Sequence, residues 1–209
     1  MECIKLCKDF YTRENVLNVA VDLIGKVLVT NIEGYETSGI IIETEAYNGI
    51  VDKASHSYNG KRTKRNEVMY EEGGVAYVYL CYGIHSLFNV VTSKKGDPKA
   101  VLIRGIIPLD NLGKILDRVG LKNPSKKIGK GPGNVTKCLG IKTYHSGESL
   151  LGEKIWIEDR GILFSEKDIK TSKRIGVNYA GEDANLEYRF FIDVDCFEVK
   201  ILKAKGKIF

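Results

Sequence analysis

The feature that most constrains this chain is the way its β-rich runs arrive in close pairs across short turns. Lys26 to Thr30 and Gly39 to Glu45 form one pair, and Val75 to Leu80 and Ile84 to Thr92 form a second around Cys81-Tyr82-Gly83. Runs joined this tightly pair antiparallel, because parallel neighbours need a crossover of a dozen residues or more. Further β-rich runs occupy Val101 to Ile107, Lys154 to Glu158, Arg189 to Val194 and Phe197 to Leu202. Helical spacing is confined to a few stretches. Val16, Val19, Ala20, Leu23 and Ile24 form one apolar face, with Thr12 as the expected N-cap and Gly25 as the stop, and shorter helices are expected over Leu109 to Val119 and Asn134 to Leu139. Strands that cluster as hairpins predict an α+β fold: a mostly antiparallel, curved sheet with surrounding helices and a protruding hairpin that carries Tyr82 near its tip. With 209 residues and no repeat or Ser/Pro-rich linker, residues 1–209 are expected to form a single domain.

Charge narrows the partners. Lys and Arg number 32 against 27 Asp and Glu, which favours a negatively charged partner without naming one. The excess is local: Lys61, Arg62, Lys64 and Arg65 crowd one loop, and Lys122, Lys126, Lys127, Lys130 and Lys137 share a stretch without an acid. Such patches meet phosphate in nucleic-acid binders and are ordinary solvated surface elsewhere. The five cysteines form no CxxC and the three histidines are scattered, so neither a disulfide framework nor a metal site is expected. No run reaches the roughly 18 to 20 apolar residues of a membrane span, and the chain is expected to be an intracellular protein of the cytoplasm or nucleoid, a monomer that needs no cofactor.

The chemistry-bearing candidates lie close together. In the run Ile40-Ile41-Ile42-Glu43-Thr44-Glu45, the period of two puts Glu43 and Glu45 on one face of a strand end. That pair is either a catalytic arrangement or the point where the strand emerges into water. Tyr47, His56, Tyr77, Tyr79 and Tyr82 all follow within 38 residues of Glu45, across a long polar loop from Asn48 to Gly74. Flat rings beside a carboxylate suit a base taken out of a nucleic-acid stack, although tyrosines at alternating strand positions also serve as packing.

At this point longer motifs appear in register. Ile42-Glu43-Thr44-Glu45-Ala46-Tyr47, Ala54-Ser55-His56-Ser57, Arg62-Thr63-Lys64-Arg65-Asn66 and Tyr77-Val78-Tyr79-Leu80-Cys81-Tyr82-Gly83 resemble the alkyladenine (3-methyladenine) DNA glycosylase family. So do Asn89, Val101-Leu102-Ile103-Arg104, Gly131-Pro132-Gly133-Asn134 and Arg174-Ile175-Gly176-Val177, in the same order, over roughly residues 10 to 195. The resemblance implies a monofunctional DNA-repair hydrolase of base excision repair that flips alkylated or deaminated purines from double-stranded DNA and leaves an abasic site. It implies that Glu45 activates the attacking water and that Arg104 helps to hold it. Tyr47, His56, Tyr79 and Asn89 would form the base pocket and Tyr82 would fill the hole in the duplex, while the two basic patches offer Arg62, Arg65, Lys126 and Lys127 as the residues that meet DNA. Lys64, where the family commonly has proline, and Asn178-Tyr179 before Ala-Gly depart from the pattern. Two other readings stand beside this one: a non-catalytic nucleic-acid-binding module, and a hydrolase of free nucleosides that would need the pocket but neither Tyr82 nor the basic loops.

Overall fold

The computed structural model describes residues 4–193. Its strands are β1 (Ile4–Lys5), β2 (Val27–Ile32), β3 (Tyr35–Tyr47), β4 (Ala76–Cys81), β5 (His85–Thr92), β6 (Lys99–Pro108), β7 (Ile155–Asp159), β8 (Ile169–Ser172) and β9 (Arg189–Ile192). Seven of them follow the order β1-β7-β2-β3-β6-β5-β4 in one curved sheet, while β9 pairs with β3 and carries β8. Every strand ladder among the described residues is antiparallel. Four short helices complete an α+β fold: α1 (Lys8–Tyr11), α2 (Val16–Asp22), α3 (Leu112–Val119) and α4 (Pro132–Leu139). The strand expected over Phe197 to Leu202 lies outside the described residues.

Two local expectations change. The cap of α2 is Asn15, whose side chain accepts from the amides of Leu17 and Asn18 at 3.0 and 3.2 Å; Thr12 instead closes α1, its hydroxyl donating to the Lys8 carbonyl. The short α1 ends where a single longer helix would have had to begin, and an asparagine serves as well as a threonine at the cap. The β2–β3 hairpin also runs longer than its apolar runs suggest. It turns at Glu33 and Gly34, both at positive φ, and pairs Ile32 with Tyr35.

Alternation along the strands sorts the two faces of the sheet. Ala76 and Val78 of β4, Phe88 and Val90 of β5, and Val101 and Ile103 of β6 join the main core, together with Val16, Val19 and Ala20 of α2 and Val135, Cys138 and Leu139 of α4. The opposite face carries Tyr77 and Tyr79, Leu87 and Asn89, and Leu102 and Arg104, which line clefts. On β3 the register slips on both sides of Glu43, a bulge set against Gly105 of β6. A Cβ at Gly105 would stand 3.0 Å from the Glu43 Cβ, so glycine there lets the two strands close around that side chain. A bulge bends its strand and re-aims side chains. Beyond it, the Thr44 hydroxyl donates to the Ala20 carbonyl on the core side, while Glu43, Glu45 and Tyr47 share the other face.

Candidate active site

The long loop after β3 is ordered by its own polar residues. It contains three single-turn 3₁₀ segments, Gly49–Val51, Tyr58–Gly60 and Glu67–Tyr70. Buried Asn66 accepts from the Thr63 amide and donates to the carbonyls of His56 and Lys61, at 3.0 and 2.8 Å. That bond fixes the backbone at His56. The imidazole Nδ1 then pairs with the Tyr77 hydroxyl at 2.9 Å, and the ring meets Tyr79 edge to face at 4.7 Å between centroids. Burial, with Arg65 and Lys61 nearby, pushes the His56 pKa down to about 4, so the ring is neutral at pH 7.

Glu45 is wholly covered, with 0% of its surface exposed. The Ile175 amide donates to its Oε1 at 2.7 Å, the Tyr47 hydroxyl donates to its Oε2 at 3.0 Å, and Arg104 Nη1 reaches Oε2 at a long 3.4 Å. Arg104 is held more closely by Glu43, whose Oε1 accepts from its Nε at 3.0 Å and from the Nε of Arg189 at 2.7 Å. Burial raises the Glu45 pKa above that of an ordinary glutamate, and the Arg104 charge, the Ile175 amide and the Tyr47 hydroxyl pull it partly back. A carboxyl group so placed is a better proton acceptor than one in water.

Two spaces that share lining residues lie beside the groups that hold this carboxylate. The smaller, about 30 Å³, lies among His56, Tyr77, Tyr79, Asn89, Tyr47 and Tyr179. A water needs about 10–15 Å³ on such a measure, so that cavity holds one or two waters and no purine. The larger cleft, about 620 Å³, is lined by Tyr47, His56, Tyr79 and Tyr179, by Leu102, Arg104 and Ile175, and by Tyr82 and Gly131 to Asn134. Tyr47, His56, Tyr79 and Tyr179 wall both spaces. Three residues of the wide cleft, Tyr47, Arg104 and Ile175, are the ones that bind Glu45. The amide nitrogen of Asn89, a buried residue, donates to the Tyr77 and Leu87 carbonyls at 3.1 and 3.4 Å, which holds that side chain as a rigid edge.

The tip of the β4–β5 hairpin stands beside the cleft. Tyr82 and Gly83 take positive φ values of 49° and 72°, and the Tyr82 side chain is 89% exposed, with Ile84 beside it 74% exposed. With its ring almost fully exposed, Tyr82 contributes little to the packing of the hairpin. The basic residues divide. Arg65 lies over the Tyr79 ring at 5.0 Å and lines the cleft, whereas Arg62 pairs with Glu67 and lies over Tyr70 at 4.5 Å. Lys126 borders a different space of about 130 Å³ against Ile42, Ile106 and Pro108, and Lys127 stands exposed in the same loop, before the cleft wall begins at Gly131.

Some contributors escape a reading of the sequence for side-chain chemistry. The Ile175 amide is a main-chain group, and Tyr179, at a departure from the family pattern, walls both spaces with its hydroxyl donating to the Ala54 carbonyl at 3.1 Å. Asp52 and Arg174 pair 122 residues apart. The family motif around Arg174 marks the segment as important without saying what it touches.

Residues 9–195 match the profile of the methylpurine-DNA glycosylase family. Among curated proteins, the chain is 44% identical over 190 residues to a protein of Chlamydia felis, a match that spans 90% of this chain and 96% of the relative. It is 41% identical over 197 residues to one from Desulfitobacterium hafniense, covering 90% and 95%, and 40% identical over 205 residues to one from Clostridium perfringens strain 13, covering 94% and 100%. All three are named provisionally as 3-methyladenine DNA glycosylases.

Proposed function

The chain belongs to the methylpurine-DNA glycosylase family, and we propose that it flips an alkylated or deaminated purine out of double-stranded DNA and hydrolyses its N-glycosidic bond with Glu45 as the base. The observation that carries this reading is the buried carboxylate of Glu45, held by three donors behind the junction of an aromatic-walled cleft. Water enters beside the Arg104 contact, the longest of the three. Glu45 takes one proton from it as the oxygen bonds to the sugar C1′, and the C1′–N bond breaks with its electron pair passing to the purine. The transition state resembles an oxocarbenium ion, which the same carboxylate stabilises. A base that already carries positive charge leaves readily, and the neutral His56 ring does not repel it. Tyr47, Tyr79 and His56 offer it aromatic faces, and the rigid Asn89 side chain meets its edge and discriminates against an exocyclic amine. Among the described residues no lysine lines the cleft to form a Schiff base, so the expected product is an abasic site in an intact strand.

The competing reading, a hydrolase of free nucleosides, is separated by offering 7-methylguanosine, its deoxy form and a duplex carrying the same base. Turnover is expected on the duplex at a rate at least about 10-fold above that on either nucleoside, because the general base acts on all three substrates while binding energy from the DNA backbone is available only to the duplex, and about 1.4 kcal/mol of it gives that factor. Comparable turnover on all three substrates contradicts the proposal.

The raised Glu45 pKa sets the sign of the pH dependence. The base works ionised, so excision of a cationic purine, which needs no protonation of its leaving group, falls as pH drops through the folded-state pKa. That fall is expected above the ordinary glutamate value of 4.5. Single-turnover excision of 7-methylguanine across pH 4 to 8 reads it. A flat profile down to about pH 4 contradicts ionised Glu45 as the base.

DNA binding should weaken as salt rises, because each lysine or arginine on a phosphate releases a counterion. Neutralising Lys126 and Lys127 together is expected to reduce the slope of log K against log salt by about 2, close to 0.9 for each phosphate no longer neutralised. An unchanged slope makes this loop ordinary surface.

A further inference from the structure

Among the described ion pairs, Asp52 and Arg174 form the most deeply buried: 1% and 0% of their side chains are exposed. Arg174 Nη1 donates to Asp52 Oδ2 at 2.5 Å and to the Ala46 carbonyl at 2.9 Å. Its Nη2 donates to Asp52 Oδ1 at 2.8 Å and to the Asp183 carbonyl at 3.2 Å. The Asp52 carboxylate also accepts from the amides of Asn48 and Ala54, and the guanidinium lies 4.9 Å from the Tyr47 ring centroid. The end of β3, the pocket loop and the segments around residues 174 and 183 therefore converge on one contact.

Stability alone explains this arrangement poorly. The desolvation of two buried charges consumes most or all of their attraction, and a well-packed apolar pair often serves as well. Arg174 Nε is moreover a buried donor without a partner, a costly feature that the fork accepts to keep its orientation. Geometry supplies the missing reason. Arg174 grips the carbonyl of Ala46, which follows Glu45 in the chain, and the residue after Arg174 is Ile175, whose amide makes the shortest bond to the Glu45 carboxylate.

We infer that the Asp52–Arg174 pair is a positioning device for the base: by locking Arg174 to the pocket loop and to Ala46, it holds the Ile175 amide on Glu45 Oε1 and aims the carboxylate. This rests on Glu45 being the base. The groups that face Glu45 are Glu43 and Tyr47 from β3, Arg104 from β6 and the Ile175 amide, with Arg174 beyond Tyr47, Tyr179 from the segment after it, and Arg189 of β9 held on Glu43. Displacing the amide removes one donor that offsets burial, so the carboxylate should protonate at higher pH; in Asp52→Asn the lost aspartate charge pulls weakly the other way, whereas Ile175→Pro leaves every charge in place.

The test is single-turnover excision of 7-methylguanine from duplex DNA across pH, in wild type, Asp52→Asn, Ile175→Pro and Ile175→Ala. Asp52→Asn is expected to move the acidic fall in rate upward by about one pH unit, the size of one hydrogen bond to a charged group. Its rate should approach that of wild type at high pH, with duplex affinity unchanged. Ile175→Pro deletes the amide donor at a half-exposed side chain and should show the same shift; Ile175→Ala, which keeps the donor, should not. A merely structural role lowers the rate equally at every pH. An unmoved fall in folded Asp52→Asn overturns the inference, and so does an unmoved fall in Ile175→Pro if Asp52→Asn fails to fold. Glu45→Gln separates the two claims. If it excises at the wild-type rate, the base assignment fails and the positioning role with it; if it is inactive while the fall in Asp52→Asn stays put, only the positioning role fails.

Discussion

Glu45→Gln is expected to lower single-turnover excision by at least about 100-fold, the usual contribution of a general base, while lesion-bearing duplex still binds. The substitution keeps the shape of a side chain that has no exposed surface and three hydrogen-bond donors, so little repacking is required. It removes the proton acceptor and the charge that faces the developing oxocarbenium ion. The amide has one oxygen and one nitrogen where the carboxylate has two oxygens, so either Ile175 or the Tyr47 and Arg104 side loses its acceptor, which is expected to cost about 1–3 kcal/mol of stability. Melting temperature and binding by the unreacted variant report that cost separately from the chemistry. A variant that cuts near the wild-type rate removes Glu45 from the mechanism.

The second large effect is expected at Tyr82. In the proposed reaction a stacked and paired base must be replaced, at an unstacking cost of a few kcal/mol, and an inserted side chain holds the opened state. Tyr82→Ser should therefore slow excision from a well-paired duplex by about 10-fold or more, the factor that corresponds to about 1.4 kcal/mol. The same lesion in a bulge should suffer far less. Because the ring is almost fully exposed, its removal should change stability by no more than about 0.5 kcal/mol. Left-handed backbone at a non-glycine residue also carries strain, so Tyr82→Gly should lose the same activity with stability equal or higher. Equal losses on paired and bulged substrates, together with a lowered melting temperature, would make Tyr82 a packing residue of the hairpin.

Much of this arrangement is legible along the chain because it is local. Tyr77 and Tyr79 share a face by the two-residue period, and Cys81-Tyr82-Gly83 falls between two β-rich runs, so the hairpin and its tip follow from pattern. Glu43 and Glu45 share a face for the same reason, yet the pattern leaves open whether they meet water or protein. What buries Glu45 comes from elsewhere: β6 pairs along one edge of β3, β9 supplies Arg189 opposite Glu45, and the Ile175 amide arrives across 130 residues. Contacts of that separation leave no local periodicity. The bulge at Glu43 is equally silent, since Gly105, which makes room for it, lies more than 60 residues downstream. The α2 cap shows the same limit at short range. Thr12 reads as the cap along the chain, and Asn15 takes that place because α1 ends just before Thr12, which becomes its C-cap.

The central claim is hydrolysis of a purine's glycosidic bond in duplex DNA, and product analysis on defined lesions tests it most directly. End-labelled duplexes, each with one modified purine, are incubated with the protein, and the released base and the alkali-labile abasic site are measured in parallel. The account predicts free modified purine and an equal yield of abasic sites in strands that stay intact until alkali is added, with Glu45→Gln producing neither. Tight binding to every duplex without release of any purine by the wild-type protein would contradict it and leave a nucleic-acid-binding module in its place.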